Sequence, residues 1–424
     1  MAPKTLLILR PYPEPDRDFD LTDFDSILSV TTLLAFVATV VLAFVMPRLR
    51  KPASSPVTAG ITPIMPDEVD ALPVATEDPD FMECVAVSQH VADLMIADEW
   101  SEIADKIADW EANLTSTPGG ARYHEIAVKT CLSGLQALID EASRGSLTDL
   151  DAAEIEVGHF MDTHRQSRDN HILALLAARA HMALGEACVG DDWPQDQRRA
   201  AWRKMAQHFI AAGRILEPFD ALAHMSPLLA EAHYRHALGA PGGEDQLGAL
   251  FQDWIDLDPA NSNIYSAHVT ALVALDRITG DDVLEEAERA MQRTESTLGF
   301  GGYALFFMPL LTEYDSARDL LDHELYAAAL MDLASNSATQ SEVNHAAAAL
   351  LTEMEASSDA ISAAYKDTLI LMIRQHLSEI HPRVWPISTD EIQELAAEAA
   401  QVAPDIGPEE PARFDTSRAH PLAA

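Results

Sequence analysis

Glu342 and His345, in the run EVNH, stand three residues apart, the spacing that puts a carboxylate and an imidazole on one helical face as di-iron bundles require. Such a bundle needs a second pair and further carboxylates, and this pair stands alone in the sequence. Glu342 also follows Thr339 by three residues, where its side chain is expected to reach back to the start of a helix. His233 and His236, in EAHYRH, share a face, whereas His159 with His164 and His376 with His381 are out of phase for chelation on a straight helix. Surface or hydrogen-bonding roles are therefore expected for the 16 histidines, with no metal and no cofactor.

Cys84, Cys131 and Cys188 are far apart, odd in number and outside any CxxC pair, so they specify neither a disulfide framework nor a zinc site. Cys131 falls on an apolar helical stripe and is expected as a small buried hydrophobe. Glycine pairs in TPGGARYH, APGGEDQ and GFGGYALFF lack the spacing of phosphate-binding loops, and each borders a helix where a turn needs positive φ. No hydrolase, zinc-protease, kinase or nucleotide-binding signature occurs. Gly299 to Leu311, GFGGYALFFMPLL, is glycine-rich and then aromatic. It fits either a core segment or a partner-binding groove, with Phe300, Tyr303, Phe306 and Phe307 as the candidate patch. A small-molecule pocket near residues 300–307 is the third possibility and would make the chain an α-helical enzyme or sensor.

With 28 basic and 68 acidic residues, the formal charge is −40, and no stretch supplies the basic face that phosphate backbones demand. Nucleic acid is excluded as a partner on that ground. The charge suits a self-repelling soluble surface or a docking face for a basic protein partner. Apolar residues make up 48% and aromatics 6%, and runs such as HAAAALL and LYAAALMDLA point to close-packed helices.

The elements that must position these side chains are helical throughout. Val128, Cys131, Leu132, Leu135, Leu138 and Ile139 form one apolar stripe, and Ile103, Ile107, Trp110 and Leu114 another. Leu173, Leu176, Ala180 and Leu184 form a third, and Trp202, Met205, Phe209, Ala212 and Leu216 a fourth. TDLD at Thr148, TQSE at Thr339 and STDE at Ser388 place a hydroxyl three residues before an acid, the arrangement that satisfies free N–H groups at a helix start. No window alternates for long enough to be a strand.

In LDPANSNIYSAHVTALVALDRITGDDVLEEAERAMQRT, Leu257 to Pro259 close one helix, Asn261 opens the next, and LEEAERAM continues another. This stretch resembles the tetratricopeptide repeat, and Asn261 to Thr294 spans 34 residues, that family's period. Alanines at 267, 271, 287 and 290 would let paired helices approach closely. LLAARAHMALGEA, from Leu175, and MAQHFIAAGRILEPFDALAH, from Met205, look like a second unit broken by the insertion CVGDDWPQDQ, so the resemblance spans 171–295. It implies stacked antiparallel helix pairs in an α-solenoid whose concave face binds protein segments. It assigns no ligand residue.

Ahead of these helices, Ile27 to Met46 gives twenty uncharged residues, enough to cross the roughly 30 Å hydrocarbon core. Arg48, Arg50 and Lys51 crowd its C-terminal end, which favours a cytoplasmic soluble part, with the periplasmic side as the alternative in a role in envelope assembly. Only six of the 28 basic residues are lysine, a usage associated with bacterial proteins. The expected organisation is an acidic tail (1–26), a transmembrane helix (27–46) and a Pro-rich disordered tether (47–80). Three helical parts follow (81–168, 169–297 and 298–402), then a disordered tail (403–424). The expected function is that of a single-pass inner-membrane scaffold or adaptor for a protein partner, without catalysis.

Overall fold

The computed structural model describes residues 71–75, 79–142, 150–189, 198–277 and 280–401. The expected tail (1–26), transmembrane helix (27–46) and C-terminal tail (403–424) lie outside the described residues. Among the described residues no helix is long and apolar enough to cross a membrane.

The fold is all-α. Seventeen helices follow one another: α1 (Pro79–Ile96), α2 (Trp100–Ala112), α3 (Tyr123–Cys131), α4 (Ser133–Ala142), α5 (Asp151–Gln166), α6 (His171–Cys188), α7 (Arg198–Leu216), α8 (Ala221–His224) and α9 (Pro227–Gly239). Then come α10 (Leu247–Leu257), α11 (Ser262–Ala274), α12 (Gly280–Leu298), α13 (Gly301–Glu313), α14 (His323–Asn336), α15 (Gln340–Ala356), α16 (Asp359–His376) and α17 (Thr389–Gln401). No strand occurs among the described residues, where extended pairing is limited to two isolated bridges.

Local chemistry sets the helix ends. Asn170 accepts from Ile172 N and Leu173 N, Ser226 from Leu229 N, and Asp322 from Glu324 N and Leu325 N, each satisfying N–H groups that the first turn leaves open. The Thr339–Glu342 capping box forms as expected, and Ser388 with Glu391 repeats it. Thr148 lies outside the described residues. One glycine of each expected cluster takes positive φ: Gly120 (89°), Gly242 (71°) and Gly299 (58°).

From α9 onward, packing follows a regular succession. α10 rests on α9, α11 and α12; α13 on α11, α12 and α14; α14 on α12, α15 and α16; and α16 on α15 and α17. Each helix thus finds its partners among near neighbours in the chain, the habit of a solenoid. One departure concerns the 34-residue unit. Its helices α11 and α12 meet chiefly through α13, which both contact, instead of closing on each other. α13 can lie so near because it begins with glycines: a Cβ on Gly302 would stand 2.8 Å from the Ala290 carbonyl, and one on Gly301 2.7 Å from Leu333.

One connected core runs from Val91 to Ala399, across both expected internal boundaries at 168/169 and 297/298. α6 and α13 are buried nearly all round, which explains their unbroken apolar sequences. The expected tether also needs correction at its end. Residues 71–75 pack against the C-terminal helices: Ala75 N donates to Ile380 O at 2.9 Å, Ile380 N to Pro73 O at 2.8 Å, and Gln393 brackets Leu72 through both its amide and its carbonyl. Leu72 and Val74 find apolar cover there that composition alone does not announce.

Candidate functional site

The aromatic stretch is core. Tyr303, Phe306 and Phe307 are 0–1% exposed and Phe300 is half-buried against the same cluster, so they present no exposed patch. Tyr303 and Phe307 pack ring on ring at 4.6 Å, and Phe306 meets Phe251 at 6.4 Å, edge to face. The expectation of a partner groove there is corrected, because α13 is enclosed by α11, α12 and α14.

The histidines are occupied in other ways. His233 and His236 each spend Nε2 on a carbonyl, of Phe219 (2.8 Å) and Phe209 (3.0 Å). His345 uses Nδ1 on Ser341 O, and Glu342 is consumed by its cap. No metal-holding cluster of His, Cys, Asp or Glu exists among the described residues. Burial pushes the Cys131 thiol up to about 12 and the Cys188 thiol up to about 11, which removes both as nucleophiles at neutral pH.

Two buried acid sites join the first helices to the later ones. Asp258, just before Pro259, accepts from Arg122 Nε (2.8 Å) and Nη2 (2.5 Å) while wholly buried, and Arg122 also reaches Leu114 O. Glu111, at the end of α2, accepts from Ser226 Oγ (2.7 Å) and Leu228 N (3.0 Å), placing a carboxylate at the positive end of α9.

A charged cluster joins α6 to α9, with Glu125 of α3 in its electrostatic field. Glu231 Oε2 stands 2.8 Å from Arg179 Nη1, and its Oε1 accepts from Arg235 Nε at 2.8 Å. Burial would raise the Glu231 carboxyl, but Arg179 and Arg235 overcome that and push it down to about 2. Two further carboxyls in the same field are not balanced in this way. Glu186 is raised by its enclosure despite Arg235 and Arg179. Glu125 is raised by burial and by Glu231, although Asn261 (2.6 Å) and Asn263 (2.9 Å) donate to it. Glu186 nevertheless stays exposed, and 44% of the Arg235 side chain is accessible.

A second polar series is closed to solvent at its end. Tyr234 Oη lies 2.9 Å from His268 Nδ1, and His268 Nε2 lies 3.4 Å from Glu286 Oε1, with the imidazole stacked on Phe251 at 4.0 Å. His268 and Glu286 border a cavity of about 370 Å³. Tyr234 itself is 1% exposed, and burial raises its hydroxyl beyond the usual range. Tyr234 therefore keeps its proton and offers no accessible nucleophile.

Pattern-based reading passed over Arg179, Glu186, Glu231 and Arg235. The signal was present: Arg179 interrupts HILALLAARAHMALGEAC, an otherwise apolar helix in which a cation needs a partner. Glu231 and Arg235 stand at i, i+4, the pairing distance on α9. Comparison with known protein families, with characterised proteins and with solved structures finds no match to this chain.

Proposed function

We propose that this chain is a membrane-anchored helical-repeat adaptor of bacterial type. Its solenoid, resembling the tetratricopeptide repeat, would hold a cationic segment of a protein partner on the charged cluster of Glu125, Glu186, Glu231 and their arginines. The observation that carries the reading is the pair of under-compensated carboxyls, Glu125 half-buried and Glu186 exposed to solvent, in one charged cluster. A partner lysine or arginine would supply the missing positive charge and relieve the cost of holding those groups there. The formal charge of −40 favours encounter with a basic partner, and α-solenoids offer extended surfaces to such segments. The span at Ile27 to Met46, with Arg48, Arg50 and Lys51 behind it, supports an inner-membrane anchor with the helices on the cytoplasmic side. Anchoring would raise the adaptor's effective concentration for membrane complexes.

The test is site-specific photocrosslinking in cells with a photoreactive residue in place of Lys129 of the full-length chain, exposed one turn from Glu125 on α3, with both carboxyls intact. The expected adduct is a membrane protein joined through a Lys- or Arg-bearing peptide, and Glu125→Gln with Glu186→Arg should abolish its retention. Undiminished retention by that double variant would refute the reading.

A further inference from the structure

The charge of one cavity is opposite to that of the chain. Where the ends of α5 and α7 meet the turn around α8, three arginines (Arg165, Arg168 and Arg214) line about 550 Å³ against a single acid, Asp169, with His164 and His224 on the same wall. Acids outnumber bases more than twofold in the whole sequence, so this inversion calls for a cause. One candidate is the helix dipole. Arg165 lies in the last turn of α5 and Arg214 in the last turn of α7, each where a cation complements the negative helix end. That accounts for one cation per helix, and Arg165 is already paired with Asp162 at 2.6 Å.

The dipole leaves the rest unexplained. Arg168 stands beyond α5, and neither it nor Arg214 makes an ion pair or side-chain hydrogen bond among the described residues. His164 Nδ1 is buried with no hydrogen-bond partner among the described residues. Burial lowers the proton affinity of His164, and Arg168 and Arg165 lower it further, so the region is electropositive independently of the imidazoles. Ile215, Pro218 and Phe219 complete an apolar side of the same space.

We propose that this cavity binds a phosphate monoester, its dianion gripped by the free guanidiniums of Arg168 and Arg214 and its organic part resting on Ile215 and Phe219. Guanidinium forks match phosphate oxygens two at a time, and the volume lies within the range of small-molecule sites. With Arg165 paired to Asp162, Arg168 and Arg214 still present two forks, enough to engage the three terminal oxygens of a phosphate monoester where a carboxylate offers only two. The monoester could be soluble or the headgroup of phosphatidate. Leu222 and Met225, 44% and 71% exposed on the adjoining turn, are placed to meet acyl chains. The cavity does not depend on the adaptor reading, since it draws on α5, α7 and α8 and the charged cluster on α3, α6 and α9.

The test is calorimetric titration of the detergent-purified full-length chain with inorganic phosphate, with short-chain phosphatidate and with the matching phosphatidylcholine. Phosphate and phosphatidate should bind and phosphatidylcholine should not. Phosphatidate binding at least tenfold tighter than phosphate would assign the lipid source, and equal binding the soluble one. Arg168→Gln with Arg214→Gln should weaken binding by about 10–100-fold, as expected for losing charge-assisted bonds, while Arg168→Lys retains part of it. Both sites are on the surface of helix ends, and an unchanged melting curve checks the fold. No heat with either anion, or affinity unchanged in the double Gln variant, would overturn the proposal.

Discussion

Removing Arg122 should be among the most damaging single changes in this protein. Its guanidinium makes two charge-assisted bonds to a carboxylate with no exposure, and its own side chain is 10% exposed, so solvent screening gives little relief. At about 1.5–3 kcal/mol per bond, and with an uncompensated buried Asp258 left behind, Arg122→Met should cost about 3–5 kcal/mol. Asp258→Leu alone should cost about 3 kcal/mol, because it strands the cation in turn. In the double variant neither charge remains, and Asn261 keeps Glu125 as its partner, so the pair should return to within about 1 kcal/mol of the parent. Urea unfolding of the full-length chain in detergent, followed by far-ultraviolet circular dichroism, gives all four corners of the cycle. A double variant as unstable as the sum of the singles would refute the reasoning, since it would mean that the two residues act through unrelated contacts.

Asn344 accepts from His381 N and Trp385 Nε1 and donates to Gln340 O and Glu379 O, so Asn344→Ala should cost about 2–5 kcal/mol. Hydrogen exchange should then quicken at least tenfold at Ala75 and Ile380, and unchanged rates there would disprove the coupling. Acid should destabilise the chain in two stages. His181 and His208 share a 3.0 Å Nδ1–Nδ1 contact, and burial pushes both down to about 4, so their contribution is complete above pH 6.5 and lost between 6.5 and 4. Glu231, about 2 in the fold against an ordinary 4.5, contributes about 3 kcal/mol that is lost between pH 4.5 and 2. Stability measured against pH in His181→Gln/His208→Gln should show a smaller first stage, to which His164, His236, His268 and His376, also lowered by burial, still contribute, and an unchanged second. Under native conditions at pH 7 a maleimide should label Cys84 quickly and Cys131 and Cys188 only on unfolding, and equal labelling of all three would contradict their burial.

Helical character was legible because apolar spacing is a local property. The stripes from Val128 and Leu173 point inward as expected, and Thr339 caps through Glu342 because cap and acid lie within one turn. Chemistry that depends on distant partners was not legible. Nothing near Arg122 forecasts Asp258, 136 residues away, and Phe306 gives no local sign of whether it meets solvent or Phe251. The same limit applies to residues 71–75. Proline and acid content around them suggested a solvated strap, whereas Leu72 and Val74 are covered by side chains more than 300 positions later. Arg179 shows the reverse: a cation in an apolar helix announces a partner without saying which.

That docking of residues 71–75 on Ile380 and Gln393 governs the order in which the chain can be finished. A ribosome making about 5–20 residues per second delivers the receiving groups tens of seconds after the segment they hold. Until then Leu72 and Val74 must wait without cover while the intervening helices stack behind them. A truncation before Ile380 would therefore leave the beginning of the described chain without its cover, so damage late in the chain would be felt at residues 71–75. Joining the first described stretch to the C-terminal helices ties two ends of the described succession together, so that groups made late complete a contact begun early.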